Sequence, residues 1–169
     1  GTHNTIIGGI AGDAITTGEN NSSLGCDALS ANVHGDNVVA IGNEAAQLLN
    51  PTASSGTDTH MNGVYIGYQA GDEVTTGRHN TVIGALTANA MTTGANNLLL
   101  GTTAGNSSQP GGEITTGGGQ IVLGNASSTN AHIQIDWTVA SDERDKTDFT
   151  ALDLGLDFVK ALAPVTYKW

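Results

Sequence analysis

The stretch NTVIGALTANAMTTGANNLLLG, residues 80–101, sets the reading of the chain. It opens on Asn80-Thr-Val-Ile-Gly84 and closes on Asn97-Leu-Leu-Leu-Gly101, with Thr92-Thr-Gly94 between them. The two closing glycines lie 17 residues apart, and the same string returns along the chain, as at Asn4-Thr-Ile-Ile-Gly8. The full series is Gly8, Gly25, Gly42, Gly67, Gly84, Gly101 and Gly124, with spacings of 17, 17, 25, 17, 17 and 23. A fixed period of this length is the mark of a repeat architecture. Insertions of eight and six residues interrupt it within Gln47–Asn62 and near Asn106–Pro110, both rich in Ser, Thr, Gly and Pro.

A second series, Gly18, Gly35, Gly77, Gly94 and Gly117, precedes members of the first by seven residues, and four of these end a Thr-Thr-Gly. Ala11, Ala28, Ala45, Ala70 and Ala104 each follow a closing glycine by three. Each period therefore reads as two short extended pieces joined by two glycine-bearing turns. Glycine density and β-branched residues disfavour helix. The expected fold is all-β, a repetitive β-roll or β-solenoid of 17-residue rungs. Stacked rungs are expected about 4.8 Å apart. Glycine at the corners supplies positive φ or close backbone approach. Asn20-Asn21 and Asn96-Asn97 are expected to stack into hydrogen-bonded ladders at one corner.

One rung offers only two or three inward apolar side chains, at about 1.5–3 kcal/mol each when fully buried, against the chain entropy of ordering it. We therefore expect a parallel homotrimer that buries a second face of each rung, with Ala and Gly near the shared axis. A single left-handed β-helix would show about three six-residue marks per turn; this chain shows two, at intervals of ten and seven.

The 169 residues carry a net charge of −11, with 12 % charged and 4 % aromatic residues and 24 glycines. Residues 1–140 hold ten acidic side chains against Arg78 alone; residues 141–169 hold six acidic and four basic. Such a surface repels phosphate, which argues against nucleic-acid partners and anionic membranes. No run approaches the ~20 apolar residues of a membrane span, so no membrane insertion is expected. We expect Gly1 to be the cut edge of a longer chain. Cys26 is alone and reads as a small filler. Five histidines, His3, His34, His60, His79 and His132, lack metal-ligand spacing and read as turn residues. No calcium loop or phosphate-binding loop is present, and no cofactor or metal is expected. Aligned Thr-Thr-Gly threonines resemble a flat hydroxyl and methyl array, but the insertions interrupt it.

The pattern Asn-Thr-x-Ile-Gly, Ala-Gly, Thr-Thr-Gly, Asn-Asn, over about residues 1–125, resembles repeat regions of phage tail fibres and tail spikes, and in style the head repeats of trimeric autotransporter adhesins. The chain then changes grammar. Five of seven aromatics lie at or beyond Trp137. His132–Trp137 alternates like a strand. Thr150-x-x-Asp153 reads as a helix cap, Leu152, Leu156 and Val159 as one helical stripe, and Pro164 as its stop.

Ser141-Asp142, Arg144 and Lys146, then that helix, then Ala163-Pro164-Val165 with Tyr167, resemble the opening of the endosialidase-type intramolecular chaperone domain, an auto-processing module of phage tail spikes and fibres. The resemblance implies a segment that drives trimerisation and cuts itself off at Ala140–Ser141, with Ser141 as nucleophile and Lys146 as base. Asp145 stands where the family commonly carries an apolar residue, and a carboxylate there favours protonated Lys146. At most, then, the chain is a self-cleaving Ser/Lys peptidase, and within these 169 residues it is expected to be inactive or incomplete.

The expected organisation is a repetitive shaft over 1–130, a strand connector over 131–140, and the truncated start of the chaperone domain, with short α+β structure, over 141–169. The resemblance implies a virion tail fibre or spike that presents Pro51–His60 and Asn106–Gly112 to a host-cell glycan or protein. Tyr65 and Tyr68 are candidate sugar-stacking residues, with wall packing as their other reading. The alternatives are the head of a bacterial adhesin, which needs a signal peptide and membrane anchor, and the non-catalytic part of a glycan-depolymerising spike.

Overall fold

The computed structural model describes residues 1–51, 59–107 and 112–134. Gly1–Ala131 form one compact unit, and a second begins at His132. The described residues are all-β and contain no helix, as expected. Seven three-residue strands form one parallel sheet in chain order: β1 Thr5–Ile7, β2 Ser22–Leu24, β3 Val39–Ile41, β4 Val64–Ile66, β5 Thr81–Ile83, β6 Leu98–Leu100 and β7 Ile121–Leu123. The register sets Thr5 beside Ser22, Ser22 beside Val39, Val39 beside Val64, and so on to Leu98 beside Ile121.

Only one of the two extended pieces expected in each period is a strand. The other, after each closing glycine, is a run of turns in which left-handed residues alternate with ordinary ones. Asp27 (φ 54) and Leu29 (φ 58), then Glu44 (φ 57) and Ala46 (φ 49), then Leu86 (φ 55) and Ala88 (φ 53) show the alternation. A non-glycine residue in this region costs about 1–2 kcal/mol. The cost is offset because alternation sends successive amides to opposite neighbours. The Glu44 amide donates back to the Cys26 carbonyl (2.9 Å) and the Ala46 amide forward to the Ala70 carbonyl (3.0 Å). The Leu86 and Ala88 amides do the same toward Tyr68 and Ala104. This turn wall is thus knitted by backbone bonds between periods, as the sheet is.

The two glycine series do different work. The closing glycines take φ from 118 to 141 over Gly8–Gly101, where a Cβ would collide with the backbone of the next closing glycine. The second series has no positive φ. A Cβ on Gly18 would meet the Gly35 carbonyl oxygen at 2.6 Å, and one on Gly94 the Gly117 oxygen at 2.5 Å. Close approach alone demands glycine at these positions, whereas a Cβ on Gly117 would meet only Ile114 Cγ2 at 3.8 Å.

An asparagine ladder runs beside this column. Asn80 Oδ1 accepts the Asn97 amide (3.0 Å) while its Nδ2 donates to the Gly94 carbonyl (2.8 Å); Asn97 repeats both contacts with Gln120 and Gly117. Asn4 and Asn21 do the same toward the periods that follow them. The residue preceding each ladder position, His3, Asn20, Asn37, Asn62, His79 or Asn96, is left-handed, a conformation that Asn and His tolerate well.

The core lies between sheet and turn wall, and its columns compensate in size. The middle residue of each of β1 to β6 points inward, at the level of the residue six further on. The pairs are Ile6 with Gly12, Ser23 with Leu29, Ala40 with Ala46, Tyr65 with Gly71, Val82 with Ala88 and Leu99 with Gly105. Where the strand residue is large, the wall residue is glycine; where it is Ser23, the wall supplies Leu29. A Cβ on Gly71 would meet Tyr65 Cδ1 at 2.5 Å, and one on Gly105 would collide with Leu99 Cδ2. Ala28, Ala45, Ala70 and Ala104 are fully buried in this same interior. The alanine column therefore fills the chain's own narrow core and does not face outward toward an axis, which corrects the placement expected from sequence. In the connector, residues 131–134 form no strand; residues 135–140, and all of 141–169, lie outside the described residues.

Leu99→Ser is expected to cost about 3–5 kcal/mol by leaving a cavity. Adding Gly105→Leu, which copies the Ser23 and Leu29 pair, should recover more than half of that loss in urea unfolding. Additive losses would contradict the pairing. Asn80→Ala should cost about 1–3 kcal/mol, because a buried amide and a buried carbonyl lose their partner.

Candidate functional site

The sheet has two sides. Its middle residues are consumed by the core, so the flanking ones face away from it. One outward row is Thr5, Ser22, Val39, Val64, Thr81, Leu98 and Ile121; the other is Ile7, Leu24, Ile41, Ile66, Ile83, Leu100 and Leu123. None of the fourteen is charged, and the second row is entirely Ile and Leu. Ile7, Leu24, Ile41, Ile83, Ile121 and Leu123 are exposed. Soluble proteins usually interrupt such surfaces with charge, and a contiguous apolar patch marks an interaction site.

The first insertion is anchored at its roots. Pro51 is buried, and the Asn50 side chain reaches the Val33 amide (3.4 Å). On the far side, Asp36 forms an isolated parallel bridge with His60 and accepts from the Thr59 hydroxyl. Its other oxygen accepts the Glu19 amide at 2.7 Å. Residues 52–58 and 108–111, the tips of both candidate presenting loops, lie outside the described residues. Ser141 and Lys146 lie outside them too.

Tyr65 is fully buried, so it has no surface to offer a sugar, and the wall-packing reading accounts for it. Its ring occupies the space a side chain at Gly63 would need; a Cβ there would meet Tyr65 Cε2 at 2.6 Å. Burial pushes its hydroxyl up to about 12, against a small opposing effect of the Asn80 amide nearby, with which it forms no hydrogen bond of normal geometry. Tyr68 is half exposed and remains open to a ligand.

Three of the five histidines sit at bends, while His60 lies in the bridge with Asp36. His3 and His79 hold left-handed corners, and His34 Nδ1 lies 2.7 Å from the Thr17 hydroxyl. Among the described residues, no three His, Cys, Asp or Glu side chains come together to hold a metal. Hydroxyls of Thr16, Thr75 and Thr92 are spent on carbonyls of the following period, at 3.1–3.3 Å, which leaves little of a free hydroxyl array. Cys26 is exposed and donates to Asp27 Oδ2 at 3.2 Å. That bond raises the thiol above its ordinary value, with slight burial and the charges of Asp27 and Glu44 adding to it, so the thiolate is disfavoured.

Asp72 is a partly buried carboxylate on the turn wall. Burial raises it above the ordinary value, Glu73 and Glu44 add to the rise, and backbone hydrogen bonds partly oppose it. Its Oδ1 is buried without a hydrogen-bond partner. Asn89 and Asn106 occupy the same place in the next two periods, and Asn106 Nδ2 donates to the Leu86 carbonyl at 3.1 Å.

Residues 141–169 match the family described as chaperone of endosialidase. No curated protein and no solved structure matches the chain.

Because its folded-state carboxyl binds the proton more tightly than the unfolded one, ionised Asp72 weakens the fold at neutral pH. Asp72→Asn should raise the melting temperature at pH 7. The gain should shrink as pH falls toward the ordinary carboxyl value of 3.8. Thermal unfolding across that range checks both statements; a lower melting temperature for the variant at pH 7 would contradict them.

Proposed function

We propose that the chain is a structural and host-recognition segment of a trimeric phage tail fibre or spike, in which a β-roll of 17-residue rungs leads into the start of an assembly chaperone. The observation that carries this reading is the match of residues 141–169 to the chaperone of endosialidase, directly after a parallel sheet stacked in chain order. The stacked sheet is a rod by construction, since each period touches only its neighbours. Its insertions, the first of them anchored at its roots, and Tyr68 as an exposed aromatic are the parts offered to a host-cell glycan or protein. The chaperone segment brings three copies into register.

In this reading the segment also releases itself. Lys146 takes the proton of the Ser141 hydroxyl as its oxygen attacks the Ala140 carbonyl carbon. The Ala140–Ser141 C–N bond breaks as that proton passes to the leaving Ser141 nitrogen. Water then hydrolyses the resulting Ala140 ester on Ser141 Oγ, leaving a carboxylate at Ala140 and a free amine and hydroxyl on Ser141. A serine hydroxyl needs such a base. A lysine serves only when its pKa falls well below about 10.4, which burial on assembly supplies and a neighbouring carboxylate opposes. Asp145 therefore slows the reaction, and assembly gates it.

The test is the chain mass of the full-length gene product. Wild type should yield a chain ending at Ala140, Ser141→Ala and Lys146→Ala should stay whole, and Asp145→Leu should cut faster than wild type. One uncut mass for all four would end the peptidase reading.

A further inference from the structure

Resting on the trimer reading above, we propose that the outward face of the parallel sheet, and neither the alanine column nor the glycine corners, is the surface through which copies of this chain meet. The alanines are spent inside the chain. What remains open is the pair of rows from Thr5 to Ile121 and from Ile7 to Leu123.

Three observations select a second and third copy of this chain as the occupant. The first is exposure. Ile7 is 58 % exposed, Leu24 47 %, Ile121 65 % and Leu123 53 %, so large aliphatic side chains stand in water from the first strand to the last.

The second is charge. The chain carries −11, and copies repel wherever acidic side chains face each other. The fourteen positions of the face hold no charge, and their polar members, Thr5, Ser22 and Thr81, are small hydroxyls. Asp27 and Glu44 lie past the closing glycines, on the turn wall; Glu19, Asp36 and Arg78 lie before the strands. A cationic partner would find nothing on this face to bind, whereas copies of the chain meet there with their acidic columns held off the contact.

The third is period. Six steps of about 4.8 Å make the face ~29 Å long, with an Ile or Leu at every step. A partner with another repeat meets such a ladder at one or two levels. A parallel copy in the same register meets it at all seven, and three copies around an axis place Ile83 of each beside Ile83 of the others. Because every level repeats the same contact, the arrangement also specifies parallel orientation.

The test uses the full chain with Cys26→Ser as background and one cysteine added. Ile83→Cys lies on the face; Thr93→Cys is an exposed control at the Thr-Thr-Gly corner. Treated with a short bis-maleimide, Ile83→Cys should give covalently linked copies within seconds to minutes, and Thr93→Cys at least tenfold less. Sedimentation of the untreated variants reports the assembly separately. A trimer that links through Thr93→Cys and not through Ile83→Cys overturns the assignment of the face and leaves the trimer standing. A monomer that links at neither position overturns both. Ile41→Lys, which places like charges together at one level, should shift the sedimenting species from trimer toward monomer, whereas Thr93→Lys should not.

Discussion

The structure depends on how closely successive periods stack. At the closing glycines the backbones lie so near one another that a single Cβ would strike the next period, and those residues take φ values that side chains do not tolerate. From that approach the rest follows. It brings three-residue strands into parallel register, and it lets the turn wall bond amide by amide to the periods before and after it. It also sets the asparagine side chains within reach of both an amide and a glycine carbonyl of the next period. The left-handed conformation of residues as ordinary as Glu44 and Leu86 persists because each of those amides finds a carbonyl one period away.

A coil wound this tightly has a narrow interior. Between the middle of a strand and the wall residue facing it there is room for one large side chain, contributed by the strand at Tyr65 and Leu99 and by the wall at Leu29, with Leu49, Met61, Val74 and Met91 buried beside them. The alternation gives each level its own fit, which opposes slippage by one period where the backbone alone would allow it. The same narrowness leaves the outward sheet residues with nothing to pack on within the chain. An uncharged aliphatic ladder on an acidic chain is the consequence, and in the proposed trimer it becomes the shared core.

Much of this was legible in the spacing of residues. The glycine period located all seven strands, and the Asn-Asn pairs located the ladder, although its working member is the second asparagine; the first holds the corner. The second extended piece was misread, because alternating left-handed residues carry no marker when the positions are Asp27, Glu44 or Leu86. The direction of the alanines was misread as well: small residues suggested an axis, whereas what they fit is a thin interior. Tyr65 carried its own clue, since Gly63 and Gly71 clear the room its ring fills. Asp72 could have been singled out by comparison with Asn89 and Asn106. The roles of Ser141 and Lys146 rest on resemblance and on the family match, since both lie outside the described residues.

The central claim is that this coil, complete in its interior but bare on its outer sheet face, is one third of an assembly. Sedimentation of the full 169-residue chain at micromolar concentration tests it most directly. The account predicts one species of three times 17.1 kDa. A folded species of 17.1 kDa, persisting without self-association as concentration rises, would contradict it.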